Sequence, residues 1–149
     1  NSVEDILKFN KLLKKENKIF KIETSNSCKD FKKMINFAEN FLIDRGDLSK
    51  DVKIENVPIF QRSLFREKNK NKNKNIYVAT NLLESMIVNS FPTRGEANDI
   101  FSSLEMGANG LVLAAETAIG KNPISSVKFL KNMIQVFIRS KYQNLKKYF

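Results

Sequence analysis

Five side chains stand where short apolar runs give way to polar residues: Lys21, Glu23, Asp47, Thr80 and Glu116. In parallel α/β architectures functional groups gather where strands end and turn into helices, so these are the positions at which chemistry is expected. Lys21 and Glu23 are two apart on a predicted strand, which sends both side chains to one face while Ile22 goes to the other. A lysine beside a carboxylate results, and a single Lys-x-Glu read alone is an ordinary salt-bridged edge pair. Asp47 follows Gly46, and a glycine lets the chain turn sharply and present backbone amides to an anion. The plain alternative for Asp47 is a turn or helix-capping aspartate. Two carboxylates on neighbouring strands, here Glu23 and Asp47, suit a magnesium ion that takes its other ligands from water and substrate oxygens. Thr80 closes an apolar run at the expected start of a helix, where unpaired amides attract phosphate or carboxylate; an N-cap threonine is the alternative. Glu116 and Thr117 hold the same place after the last run, with a cap and a solvated carboxylate as the alternative.

Other chemistries are excluded. The chain has no histidine, so it holds neither a Ser-His-Asp triad, nor a His-activated cysteine, nor a His-Glu-x-x-His zinc site. Its one cysteine, Cys28, cannot form an internal disulfide and leaves the usual zinc sets incomplete. No glycine-rich phosphate loop of the P-loop or dinucleotide type occurs.

The elements that must position these residues follow from hydrophobic spacing. A helix is predicted from Val3 to Leu13, with Ser2 as N-cap. Ile19–Glu23 reads as a strand, followed by a helix from about Ser27 that carries Phe31, Met34, Ile35 and Ala38. Phe41–Ile43 is a second strand, ending at Arg45-Gly46-Asp47. Ile54–Phe65 reads as a helix that Pro58 interrupts or kinks early. Asn75–Thr80 is a third strand leading into the Leu82–Ile87 pattern, and Gly110–Ala115 a fourth, leading through Gly120 and Pro123 into a long helix from about Ser125. Strands alternating with helices define an α/β fold of parallel units. Spacing alone does not separate an open doubly wound sheet from part of a (β/α)8 barrel.

With 149 residues and 42% hydrophobic content, the chain has the size and composition of one globular domain. No apolar run approaches the roughly 20 residues a bilayer crossing needs, and no secretory pattern opens the chain, so a soluble, cytoplasmic protein without membrane contact is expected. The formal charge of +10 comes from lysines spread over most of the chain. Its one focused run, Glu67 to Asn75, lacks the aromatic or arginine interleaving that stacks bases and reads as a solvated connection, so no nucleic-acid partner is expected. An opening residue of Asn1 is compatible with a processed product or with a fragment of a longer protein.

Taken in order, the blocks Lys21-Ile22-Glu23, Arg45-Gly46-Asp47-Leu48, Ala79-Thr80-Asn81-Leu82-Leu83-Glu84-Ser85-Met86, Pro92-Thr93-Arg94-Gly95-Glu96 and Leu113-Ala114-Ala115-Glu116-Thr117-Ala118 resemble successive motifs of the pyruvate kinase family. The family's versions are KIE, ARGDLG, ATQMLESM, PTRAE and LSGETA. The resemblance implies that residues 1–149 are the C-terminal half of a catalytic (β/α)8 TIM barrel of the phosphoenolpyruvate/pyruvate superfamily. The four parallel strands would be its fifth to eighth, with covering helices. The first half-barrel, lid domain and C-terminal regulatory domain would lie outside these residues. It implies phosphoryl transfer from phosphoenolpyruvate to ADP, giving pyruvate and ATP, a glycolytic step. Mg2+ or Mn2+ would sit on Glu23 and Asp47, and K+ on ligands outside this chain. Lys21 would be the catalytic cation; Gly46, Asp47 and Thr80 would orient substrate; and Arg94 and Glu96 would belong to a subunit contact. The sequence departs from the family at Asp44 for Ala, Ser49 for Gly, Asn81 for Gln, Ala114-Ala115 for Ser-Gly and Ile119 for Lys. The Ala114-Ala115 change removes a hydroxyl placed near enolate protonation. The alternatives are therefore a diverged metal-dependent pyruvate or oxo-acid enzyme of the same superfamily, or an inactive half-barrel. Four strands cannot close a barrel, so the chain is expected to need the missing N-terminal half or to self-associate.

Overall fold

The computed structural model describes residues 2–71 and 73–141. The chain divides into two units, residues 1–79 with 107–111 and residues 80–106 with 112–149.

The first unit opens with α1 (Val3–Leu12), which starts where expected because Ser2 and Asp5 form a reciprocal capping box. Strand β1 (Ile19–Ile22) leads to α2 (Ser25–Met34), which begins two residues earlier than its apolar spacing indicates because Thr24 and Ser27 form a second box. Then come β2 (Asn40–Asp44), α3 (Arg45–Asp51), a single 3-10 turn at Ile54–Asn56, α4 (Val57–Lys70), β3 (Asn75–Ala79) and β4 (Gly110–Val112). Pro58 neither breaks nor kinks a helix: it lies in the first turn of α4, where its missing N–H is no loss. The Lys-Asn run departs from a solvated connection, because residues through Lys70 extend α4. Lysine and glutamate propagate a helix well, and Lys70 pairs with Glu67 at 2.8 Å. Lys68 donates to the Gly107 carbonyl at 2.9 Å and Lys74 to that of Ala38 at 2.8 Å. Lys72, within the same run, lies outside the described residues, as does Asn1.

The strands form one parallel sheet in the order β1-β2-β3-β4. Ile22 is in register with Ile43, and Phe41 and Ile43 with Ile76 and Val78. Strand alternation puts these residues on one face, where Ile22, Phe41, Ile43, Ile76 and Val78 are fully buried with Phe31, Met34 and Ile35 of α2 and Leu64 and Phe65 of α4. Each such side chain contributes roughly 2 kcal/mol relative to leaving it exposed. The Phe31 and Phe41 rings meet edge-to-face at 5.0 Å and seat α2 on the sheet. The opposite face carries the row Lys21, Leu42 and Tyr77. On that side Gly110 is required: a Cβ there would come within 2.7 Å of the Tyr77 ring.

The second unit is helical. After Thr80 the chain runs through a 3-10 turn at Glu84–Ile87 to α5 (Arg94–Glu105), then α6 (Ala115–Ala118) and α7 (Pro123–Ser140). Thr93 and Glu96 form the N-terminal box of α5. Its core joins Leu82, Leu83 and Met86 to Ile100, Leu104 and Leu130, and the Phe101 and Phe137 rings lock α5 to α7 at 5.4 Å. Among the described residues no helix is long and apolar enough to cross a membrane.

Candidate functional site

The register that buries Ile22 against Ile43 places Lys21 beside Leu42 on the opposite face, and two residues further on each strand come Glu23 and Asp44. The first turn of α3 then brings in Asp47. The result is one ammonium among three carboxylates. Lys21 Nζ lies 2.7 Å from Glu23 Oε2, 2.9 Å from Asp44 Oδ2 and 3.4 Å from Asp47 Oδ2. On its outer side Asp47 Oδ1 meets Lys50 Nζ at 2.8 Å. Lys21, Glu23 and Asp47, singled out from the sequence, are thus assembled.

The local reasons differ from those the sequence suggests. Gly46 makes no sharp turn; it lies inside the first turn of α3. The cap is Asp44 and not Asp47: Asp44 Oδ1 accepts the Asp47 N–H at 3.2 Å. Asp44 is the site residue that motif reading passes over, noted only as a departure. Its signal is an Asp three positions before the N–H it caps, directly after an apolar strand.

Electrostatics follow from these contacts. Hydrogen bonds to Glu23 and then Asp44 raise the Lys21 ammonium well above the ordinary lysine range, against the opposing effect of burial. Lys50 first, and then Lys21, hold the Asp47 carboxyl below the usual carboxylate range. Lys50 is raised in turn by Asp47. Because Lys21 and Lys50 are solvent-exposed, these pairs add little to stability; the worth of the arrangement is in placement. A cavity of about 310 Å³ opens beside Lys21 and Glu23, lined also by Asp5, Ile6, Phe9, Phe20 and Met34.

The donor set fits a hard divalent cation. One oxygen from each of Glu23, Asp44 and Asp47 lies within 4.8 Å of the others. All-oxygen ligation suits Mg2+ or Mn2+, whereas zinc favours the histidine and thiolate ligands that this cluster lacks.

The remaining sequence candidates belong to the second unit. Thr80 does not begin a helix. Thr80 and Asn81 both take left-handed backbone angles, φ 66° and 53°, and the chain turns before the 3-10 turn begins at Glu84. For a β-branched residue that conformation costs about 1–2 kcal/mol. Glu116 is neither solvated nor aimed at a ligand: it is buried, and its oxygens accept the Leu83 and Ala114 amides. Arg94 is exposed at the start of α5. Glu96 is engaged within its own fold, accepting from the Ser85 amide at 2.7 Å, the Ser85 hydroxyl at 2.6 Å and the Thr93 amide at 2.6 Å.

Parallel strands joined by helices, with charged groups collected at the strands' C-terminal ends, place the chain among α/β proteins of the barrel kind. Residues 1–127 match the family model for the pyruvate kinase barrel domain, and the chain belongs to that family. It is 40% identical to the pyruvate kinase of Thermotoga maritima over 134 residues, 87% of this chain and 28% of that protein. It is 41% identical to the pyruvate kinase of Methanocaldococcus jannaschii over 118 residues, 79% of this chain and 26% of that protein. Plastidial pyruvate kinase 3 of Arabidopsis thaliana is 38% identical over 112 residues, 75% of this chain and 19% of that protein. The chain thus spans only about a fifth to a little over a quarter of the length of these relatives.

Proposed function

We propose that this chain supplies the lysine and metal-binding side of a site that transfers a phosphoryl group from phosphoenolpyruvate to ADP. The observation that carries the reading is the Lys21 ammonium held among Glu23, Asp44 and Asp47 at the ends of β1 and β2. In the reaction the bond from phosphorus to the enol oxygen breaks, a bond from phosphorus to the terminal oxygen of ADP forms, and the enolate left behind takes a proton to become pyruvate. Lys21 stays protonated far above neutral pH, so it offers a fixed positive charge where negative charge develops on the phosphoryl oxygens and the enolate. Glu23 and Asp47 hold Mg2+ or Mn2+, which when bound supplies charge neutralisation at those oxygens. Gly46 and Asp47, in the first turn of α3, contribute to orienting the substrate, and Thr80 is a further residue assigned to that role. Arg94 serves a subunit contact, with Glu96 shaping the segment that presents it.

The sheet supports a requirement for a partner. Strands β1 and β4 are its edges, and Ile19 on β1 is half exposed. Pairing with the remaining strands of a barrel, on the same polypeptide or a separate one, would cover such edges; a second copy is the alternative. That remaining half would also supply the K+ ligands, and a cytoplasmic setting suits a glycolytic reaction.

A second reading rests on Ala114-Ala115, which places no side-chain hydroxyl at those two positions. It keeps metal and enolate stabilisation but acts on another pyruvate or oxo-acid without nucleotide transfer. The deciding experiment is phosphotransfer by the natively produced protein, followed through lactate dehydrogenase and NADH loss, beside Lys21→Met. Divalent-dependent activity that falls at least about 100-fold in the variant is expected. Absence of ADP-dependent turnover with retained proton exchange at pyruvate C3 would replace the reading with the second one, and absence of both would leave an inactive scaffold.

A further inference from the structure

We infer that Asp44 is a third carboxylate ligand of the divalent cation, and that the Lys21 ammonium keeps the cation's place among the three carboxylates until the cation displaces it. The inference rests on the reading in which Glu23 and Asp47 hold that cation, and it adds to that reading a residue and an exchange.

Asp44 is built to serve this role. It is only 8% exposed, and its two oxygens are divided between tasks. Oδ1 is fixed by the Asp47 N–H at 3.2 Å, which sets the plane and direction of the carboxylate. Oδ2 points into the cluster and reaches Lys21 Nζ at 2.9 Å. The backbone bond ties Asp44 to the residue that carries the neighbouring ligand, so the two carboxylates move as one piece of α3. A ligand oriented by a hydrogen bond from its own surroundings is what a well-formed metal site requires.

Charge drives the exchange. Three carboxylates face Lys21, and Lys50 pairs with Asp47 from its other oxygen. A divalent cation brings more positive charge to the place among the three carboxylates than one ammonium does. The ligand oxygens lie within 4.8 Å of one another, and a cation holding each at about 2.1 Å would draw any pair wider than about 4.2 Å inward. Lys21 is the group able to leave: its side chain is 46% exposed, against 12% for Asp44, and its long stem lets Nζ swing away without disturbing the strand. Released from the carboxylates, the ammonium becomes available to a substrate anion. Cation entry and lysine availability are therefore one event.

The test is titration of the whole chain with Mn2+ alone, reading free Mn2+ by its electron paramagnetic resonance signal. The panel is Asp44→Asn, Asp44→Ser, Lys21→Met, Glu23→Gln, Asp47→Asn and the remote control Asp30→Asn. Asparagine and serine both keep an N-cap acceptor for the Asp47 amide while removing the charge. Asp44→Asn and Asp44→Ser are expected to weaken Mn2+ binding about tenfold or more. Lys21→Met is expected to tighten it about tenfold, because the competing cation is gone. If both Asp44 variants bind like Asp30→Asn while Glu23→Gln and Asp47→Asn bind weakly, the third-ligand role is overturned and the two-carboxylate reading stands. If Lys21→Met leaves the affinity unchanged or weaker, the exchange is overturned. If Glu23→Gln and Asp47→Asn have no effect, the underlying reading fails with it. Circular dichroism of each variant identifies one that does not fold; because asparagine and serine cap independently, and Lys21→Met alters no cap, the remaining variants still decide.

Discussion

The Leu83 amide donates to Glu116 Oε1 at 2.9 Å, and the other oxygen of the same carboxylate accepts the Ala114 amide at 2.8 Å, so one buried side chain ties two turns of the helical unit together. The Leu83 bond is buried and the Ala114 bond partly so, and the carboxylate satisfies both amides. Glu116→Gln exchanges one acceptor for an NH2 group that faces an N–H. It is expected to cost about 1–3 kcal/mol, and Glu116→Ala more, because both amides then lose their acceptor. Urea unfolding followed by circular dichroism measures this; a loss below about 0.5 kcal/mol for alanine would contradict the structural role.

A methyl group at Gly120 would meet backbone. A Cβ there lies 2.3 Å from the Glu116 carbonyl oxygen, in the segment where the Gly120 amide closes the end of α6 on Ala115. Backbone cannot swing aside as a side-chain tip can, so Gly120→Ala is expected to destabilise by roughly 1–3 kcal/mol. Thermal melting of this variant beside Gly95→Ala, where the nearest atom is an ordinary 3.8 Å away, separates the collision from the loss of glycine itself.

Glu96 makes the second unit sensitive to acid. Burial pushes its carboxyl up, but the Ser85 hydroxyl and the Thr93 and Ser85 amides outweigh that effect and hold it below its ordinary value of 4.5. A carboxyl depressed in the fold stabilises it fully above the unfolded value, and that contribution is lost as pH falls through the folded value. Stability is expected to fall as pH is lowered from about 4.5. Glu96→Gln should flatten that part of the profile, and denaturant midpoints measured from about pH 6 to pH 3 give the comparison.

Cys28 should be slow to react. Burial, assisted by the nearby Asp51 charge, pushes its thiol up to about 11 from 9.0. At a given neutral pH the thiolate fraction is then lower by about a hundredfold, and alkylation by iodoacetamide should slow in proportion relative to a free cysteine. Mass spectrometry of timed samples tests this, and the rate should approach the free-thiol value only in denaturant.

Much of the fold is legible because period and punctuation agree. Ile19–Ile22, Asn40–Asp44 and Asn75–Ala79 are short apolar runs with β-branched or aromatic residues, and Ser2 carries the capping signal ahead of α1. Lys21, Glu23 and Asp47 are legible because residue type and strand ends coincide. What escapes sequence reading depends on which of several competent groups wins. Asp44 and Asp47 can both cap, and geometry chooses Asp44. Glu116 looks solvated by type, yet the Leu83 and Ala114 amides need it inside. Thr80 has the composition of an N-cap, but the left-handed turn it shares with Asn81 postpones the helix to Arg94. The Lys-Asn run has the composition of a loop, and its first residues follow helix propensity instead.

Each strand of the sheet lies beside the one that precedes it in the chain. Each pairing therefore closes only the chain between two successive strands, and no strand has to be skipped over. Lys21, Glu23, Asp44 and Asp47 all come from β1, β2 and the start of α3, so the cluster needs nothing synthesised after Asp51 for its own side chains. The charged centre is therefore local in sequence, and the third and fourth strands reach it only through the packing of the sheet.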